Sequence, residues 1–349
     1  MEESRNPEGV LMVGSVPLAS SEEVFTKICQ ALPGRLYTIP DGETGDRWNY
    51  IGWQLSKFPS ETRRNELGGT PLPDSGVSSY SLESIQPTAY DEVAIASYGK
   101  FKELQRNRSI PADVRFQICL PTPLNSIIGH IKPELHSSIE PLYEERFFQA
   151  LDHIAQEIPH KDMVIQWDLC FDVTALEFDR GRLMDPRHKA YFSPVKPGIL
   201  ERVSRLCDHI PSDTRIAFHL CYGDLRHKHF IEPADTGLVV ELANGLINTV
   251  SKTHTVEWIH LPVPRDRVDI EYFAPLNKLN LGSSRVYLGL VHANDEDGTR
   301  NRISVARAAC SHAFGVATEC GLGRTPKEEI ESILTICRNV TSPRQPASL

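Results

Sequence analysis

Eight short β-rich runs, alternating with helical stretches, constrain this 349-residue chain more than any other feature. The runs fall at 10–17, 36–39, 114–120, 163–169, 215–221, 256–263, 286–291 and 314–318. Each is short, apolar and often β-branched, the signature of a buried strand. Helical segments at 21–32, 90–106, 142–157, 199–209, 236–251, 299–311 and 327–338 lie between and after them. Ser20-Ser21-Glu22-Glu23 and Thr325-Pro326-Lys327-Glu328 read as helix starts, a capping hydroxyl followed by acids or by proline. The pattern predicts an α/β fold, a single (β/α)8 TIM-type barrel over residues 1–349, with a doubly wound open sheet as the alternative. Segments 67–84 and 180–197 read as insertions after the second and fourth strands, and 1–8 and 341–349 as flexible tails.

Composition narrows the partners. A formal charge of −9 with no basic stripe argues against nucleic acid. No run of about 18 apolar residues is present, so no membrane-spanning helix is expected. The polar start MEESRNPEG lacks the order of a signal peptide, which makes cytoplasmic the plain reading. The eight cysteines are scattered without CxxC pairs and read as reduced thiols, mostly small core residues. The partner implied is a small-molecule substrate, and the oligomeric state is not legible.

The stretch His219-Leu220-Cys221 raises the first chemical question. Residues i and i+2 of a strand share a face, so both side chains can reach one metal ion, or both can be core residues. In a barrel of this type the active site lies at the C-terminal ends of the strands. Polar and reactive residues crowd those ends. They are Asp41-Gly42-Glu43, Thr122 and Asn125, Asp168 and Asp172, His219 and Cys221, His260, His292, and Glu319-Cys320.

These pieces, in this order, resemble the catalytic barrel of cobalamin-independent methionine synthase and the related uroporphyrinogen decarboxylase-like enzymes. "VGSVP" (13–17) is similar to that family's "GSFP", and "DGETGDR" (41–47) to its "DGE" segment followed by an arginine. "VIQWD" (164–168) resembles "IQIDEPAL", "HLC" (219–221) matches "H-x-C", and "ECGLGR" (319–324) resembles "DCGL". The resemblance implies a Zn2+ ion held by His219, Cys221 and Cys320, with a sixth-strand glutamate as the family's remaining ligand. Here that position holds His260, and Glu257 lies three residues earlier. Imidazole is an adequate zinc ligand. The metal set expected is therefore His219, Cys221, His260 and Cys320, unless His260 only hydrogen-bonds and the site is weakly metallated or empty.

The resemblance also implies that Glu43 and Asp168 grip the amino group of an amino-acid-like substrate. General acid–base work, or support of a histidine, are the other uses for such acids. With them, Ser15, Asp41, Asn125, Trp167 and His292 are expected around the substrate. Several features depart from the family. "DLCFDVTAL" replaces "DEPAL", "HANDED" (292–297) is unlike the family's seventh strand, and Trp48, Trp53, Trp167 and Trp258 flank motif positions. The expected activity is zinc-dependent methyl or alkyl transfer involving a small thiol or amino-acid-like metabolite, not methionine synthesis itself. The alternatives are a lyase, decarboxylase or isomerase using the same mouth, and a non-catalytic ligand-binding barrel.

Overall fold

The eight apolar runs become β1 Val10–Leu11, β2 Thr38–Pro40, β3 Arg115–Pro121, β4 Met163–Leu169, β5 Arg215–Leu220, β6 Val256–Pro262, β7 Arg285–Val291 and β8 Gly315–Thr318. They belong to a computed structural model that describes residues 6–72, 80–224 and 228–344. Residues 1–5 and 345–349 of the expected tails, and 73–79 of the first expected insertion, lie outside the described residues. All pairings are parallel, in the order β1-β8-β7-β6-β5-β4-β3-β2. Across the β1/β2 seam the Val10 N–H donates to Arg35 O at 2.9 Å, and the Val16 N–H to Gly42 O at 2.8 Å. These bonds complete the ring of a (β/α)8 barrel.

Side-chain alternation divides the core into two layers. One face of the strands fills the barrel with Leu11, Val13, Val164, Ala217, Trp258, Tyr287 and Ala317. Small Ala217 and Ala317 leave room for Trp258 and Tyr287, whose rings meet edge to face with centroids 6.4 Å apart. The other face packs beneath the helices in a larger cluster that includes Phe116, Trp167, Phe218 and Leu261. Removing one of these large side chains would cost about 3–5 kcal/mol through the cavity left behind.

Glu257 closes the floor. The register passes from Ile216 opposite Val256 to Ala217 opposite Trp258, so Glu257 is the extra residue of a β-bulge. Its carboxylate meets Arg215 and Arg285, each at 2.5 Å, and Arg115 at 3.9 Å. Guanidinium groups from β3, β5 and β7 converge only on a side chain that points into the barrel. Glu257 therefore lies toward the opposite end of β6 from His260.

The expected helices are present, with shifted ends. Helix Tyr90–Arg106 spans the expected residues, and helix Ser21–Ala31 is capped by the Ser20 hydroxyl, which accepts the Glu23 N–H at 3.2 Å. Helix His136–Glu157 starts earlier than expected because Pro141 is accommodated inside it. Helix Phe171–Asp179 follows β4 directly and carries no side-chain cap, which is why no start signal marks it. The expected tails are partly tied down, since Glu8 and Ser342 form a parallel bridge and the Ser342 N–H donates to Pro7 O at 2.9 Å. No described helix is long and apolar enough to cross a membrane.

Candidate metal centre and barrel mouth

The ends of β5 and β8 bring three donors together. His219 Nε2, Cys221 Sγ and Cys320 Sγ all lie within 4.8 Å of one another. The two sulfurs are 3.6 Å apart, and Cys320 Sγ is 3.6 Å from His219 Nε2. Zn–S bonds of about 2.3 Å and Zn–N bonds of about 2.0–2.1 Å, at tetrahedral angles, require donor separations of roughly 3.5–3.8 Å. Both separations made by Cys320 fit an ion of that kind. Gly321 follows Cys320 because a Cβ there would sit 2.5 Å from Ser15 Oγ. Ser15 in turn fastens the loop after Cys320, accepting the Gly323 N–H at its hydroxyl (3.0 Å) and the Leu322 N–H at its carbonyl (2.6 Å).

His260, expected as a fourth donor, stands behind His219 instead. Its Nε2 lies 3.0 Å from Thr318 O and its Nδ1 2.7 Å from His219 Nδ1. A carbonyl only accepts, so His260 carries its proton on Nε2 and accepts at Nδ1. His219 must then donate from Nδ1, which leaves the Nε2 lone pair facing Cys320. Burial holds His219 well below the usual imidazole range, with His260 adding to the effect, and holds His260 down to about 3. Both rings are neutral at physiological pH, as a metal-binding imidazole must be. His260 thus selects the tautomer of the ligand, and both of its ring nitrogens are committed.

This separates His260 from Glu257 experimentally. His260→Ala is expected to weaken zinc binding about 10- to 100-fold, the usual cost of losing such a partner. Glu257→Gln should leave zinc affinity within twofold (roughly the reproducibility of a competition titration) but lower the melting temperature, because it leaves the arginines of the floor uncompensated. Competition titration with a chromophoric chelator measures the first, and thermal unfolding the second. Equal zinc affinity in His260→Ala and wild type would refute the tautomer role.

Beside the triad lies a cavity of about 160 Å³ whose wall includes Ser15, Glu43 and Asp168. Glu43 is held in an unusual backbone conformation for a side-chain-bearing residue, with φ 47° directly after Gly42 at φ 82°. A Cβ at Gly42 would lie 2.6 Å from Val24, so the turn requires glycine on both counts. Asp41 secures this turn and is not among the residues that line the cavity. Its Oδ1 accepts the Glu43 N–H at 3.0 Å, and its Oδ2 takes Arg47 Nη2 at 2.6 Å and the Ser97 hydroxyl at 2.7 Å.

Asp168 is oriented from below by a buried chain of amides. Thr38 Oγ1 donates to Gln117 Oε1 (2.8 Å), Gln117 Nε2 to Gln166 Oε1 (3.0 Å), and Gln166 Nε2 to Asp168 Oδ1 (2.7 Å). Gln166 also donates to Val13 O at 2.7 Å, which fixes its amide orientation twice. Burial pushes Glu43 up to about 7, opposed by Arg47. Burial pushes Asp168 well above the carboxylate range, and the negative charge of Glu43 adds to it. Burial thus favours the protonated form of both acids, and a charge on one raises the other.

Three further residues expected at the substrate do not line this cavity. Asn125 staples the turn after β4: its Oδ1 accepts the N–H groups of Cys170 (3.1 Å) and Phe171 (2.7 Å), and its Nδ2 donates to Asp168 O (2.8 Å). Trp167 alternates with Asp168 and points outward, 6.2 Å from the Phe147 ring. His292 lines a neighbouring cavity of about 710 Å³, its Nε2 donating to Val263 O at 3.0 Å. Of the four tryptophans only Trp48 borders the small cavity. Trp53 packs on Tyr90, and Trp258 fills the barrel.

Other wall residues, among them Cys170, Phe171, Phe230 and Arg324, carried no expectation. Cys170 had a signal, because it lies two residues beyond Asp168 and shares its face. The others come from loops and turns, where no periodicity gives direction.

The fold and the site together define a (β/α)8 barrel with a His–Cys–Cys donor set and a carboxyl pair at its C-terminal mouth. No protein-family model matches the chain, and no curated protein matches it. Among solved structures the chain is similar to a B12-independent methionine synthase from Shewanella sp. W3-18-1, determined in complex with selenomethionine. The TM-score is 0.45 at 15% identity, over 71% of this chain and 64% of that one, less than two thirds of its length.

Proposed function

We propose that this barrel is a zinc-dependent transferase that moves a methyl or alkyl group onto a small thiol. The observation that carries the reading is the cluster of His219, Cys221 and Cys320 on the wall of a small cavity, with Cys320 at tetrahedral spacing from the other two. Zn2+ bound there would supply the Lewis acidity that keeps a substrate thiol deprotonated at neutral pH. The sulfur forms a bond to the alkyl carbon while the donor's bond to that carbon breaks, and the thiol proton leaves with the departing group or to solvent. His260 keeps the His219 lone pair aimed at the ion, and Ser15 fixes the loop that carries Cys320. Glu43 and Asp168 grip the remainder of the thiol substrate, with an ammonium group as the natural match for their shared negative charge.

A second reading has its own support. A carboxyl group poised near pH 7 is what general acid–base catalysis requires, and Glu43 is pushed up to about 7. A lyase, decarboxylase or isomerase would use the pair in that way. Incubating zinc-loaded protein with a panel of small thiols and of alkyl donors, with thioether formation as the readout, separates the readings. Thioether appearing only when both partners are present is the expected result. Turnover of a single substrate without any thiol would replace alkyl transfer by the second reading.

A further inference from the structure

Three donors leave one corner of a tetrahedral ion to be filled, and the cavity wall holds another soft donor. Cys170 lines the same cavity as His219, Cys221 and Cys320. The ladder puts it there. Asp168 pairs with His219 and Leu169 with Leu220, and Cys170 and Cys221 are the first residues beyond the ends of these two adjacent strands. The Cys221 N–H donates to Leu169 O at 3.1 Å, and Asn125 Oδ1 accepts the Cys170 N–H at 3.1 Å, which pins both backbones. The Cys170 side chain is buried, and its presence raises the Cys221 thiol ahead of burial. It is not among the three donors that lie within 4.8 Å of one another, so it stands beside the triad rather than in it.

The placement suits a ligand that comes and goes. Glu43, Asp168 and Asp224 also line the cavity, but they offer hard carboxylate oxygen, whereas thiolate is the soft donor that a cysteine-rich zinc site prefers. His260 cannot take the corner, with both ring nitrogens engaged. We propose that Cys170 is the fourth, exchangeable ligand of the resting metal centre, and that the substrate thiol displaces it. The substrate part rests on the alkyl-transfer reading; the ligand part does not. The exchange balances without solvent: the incoming thiol loses its proton and binds the ion as thiolate, and the Cys170 thiolate leaves the ion and takes that proton.

Cobalt(II) substitution tests the ligand set in the full-length protein, because thiolate-to-cobalt absorption grows with the number of bound thiolates. Wild type is expected to show three, and Cys170→Ser and Cys170→Ala two, with zinc affinity lowered roughly 10- to 100-fold. Adding 2-mercaptoethanol should leave the wild-type intensity unchanged and release no proton. In both variants it should restore the third thiolate and release one proton per ion, read with a pH indicator. Circular dichroism of both variants checks that the barrel is folded. Equal thiolate absorption in wild type and in both variants would show Cys170 to be a neighbour only and overturn the proposal. Wild type that takes up no cobalt would overturn it together with the zinc site. A three-thiolate spectrum in a protein without transfer activity would support the ligand assignment and sink alkyl transfer alone.

Discussion

Cys221→Ser and Cys320→Ser are expected to purify as folded barrels that have lost most of the zinc carried by wild type at close to one ion per chain. Four-ligand zinc sites bind with about 10–16 kcal/mol at pH 7. An even share is therefore about 2.5–4 kcal/mol per donor, roughly a 10²- to 10³-fold loss of affinity. The fold should survive, because both thiols sit at the mouth, above a barrel filled by Trp258, Tyr287 and their neighbours. The pH dependence sharpens the test. The Cys320 thiol is pushed well up by its hydrogen bond to Cys221 and by burial, and the Cys221 thiol by the presence of Cys170 ahead of burial. Both enter as neutral thiols, so the binding ion must expel their protons. Each ligating thiol adds about one log unit of zinc affinity per pH unit, so Cys221 and Cys320 together contribute about two, Cys170 as fourth ligand a third, and each variant should lose about one. Elemental analysis and competition titrations between pH 6 and 8 (a range of roughly two units around neutrality) measure this. Wild type without any transition metal but with full activity would end the zinc reading.

Strand positions were legible because each β-run is short, apolar and bounded by polar turns, and because a parallel sheet covered on both sides demands that pattern. The triad was legible for a narrower reason: a shared strand face only permits His219 and Cys221 to reach one ion, and the resemblance of "HLC" and "ECGLGR" to the family's segments is what implied a metal and Cys320 as its third donor. The role of His260 was not. Its register partner is His219, so it shares the inward face and qualifies equally as ligand or as support. Only the separation of ring atoms decides, and alternation carries no distances. Trp167 is the opposite case, since period-two alternation with Gln166 and Asp168 already turns it away from the cavity. Asp41 and Asn125 looked like substrate contacts because they are polar and close to strand ends. Those ends also need polar groups to satisfy tight turns, and both side chains are spent on backbone N–H groups there. The bulge at Glu257 left no mark in the sequence, and it is what turned that carboxylate to the floor.

Glu43→Gln and Asp168→Asn are expected to raise KM for the thiol substrate about 10- to 100-fold with much smaller changes in kcat. A charge-assisted hydrogen bond to an ammonium is worth roughly 1.5–3 kcal/mol. A grip on a group that does not react binds ground and transition states alike, so its loss appears in KM. The two acids are not equivalent. Asp168 has one oxygen committed to Gln166, whereas Glu43 opens to the cavity from a strained turn. The pH profile carries the sign. Glu43 gains its proton as pH falls through about 7, which removes the anion that an ammonium needs, so KM should climb on the acid side of that value. In Glu43→Gln the charge that helps to hold Asp168 up is gone. The acid limb at about 7 that belongs to Glu43 should then disappear while KM stays raised at every pH. If either acid instead transfers protons, its amide variant should lose about 10²- to 10⁴-fold in kcat with KM nearly unchanged. In that event the pH dependence would belong to kcat, and the lyase or isomerase reading would replace alkyl transfer. Steady-state kinetics of both variants from pH 5.5 to 8.5 (a span of roughly three units) distinguish these outcomes, and unaltered kinetics in both would remove the pair from the site.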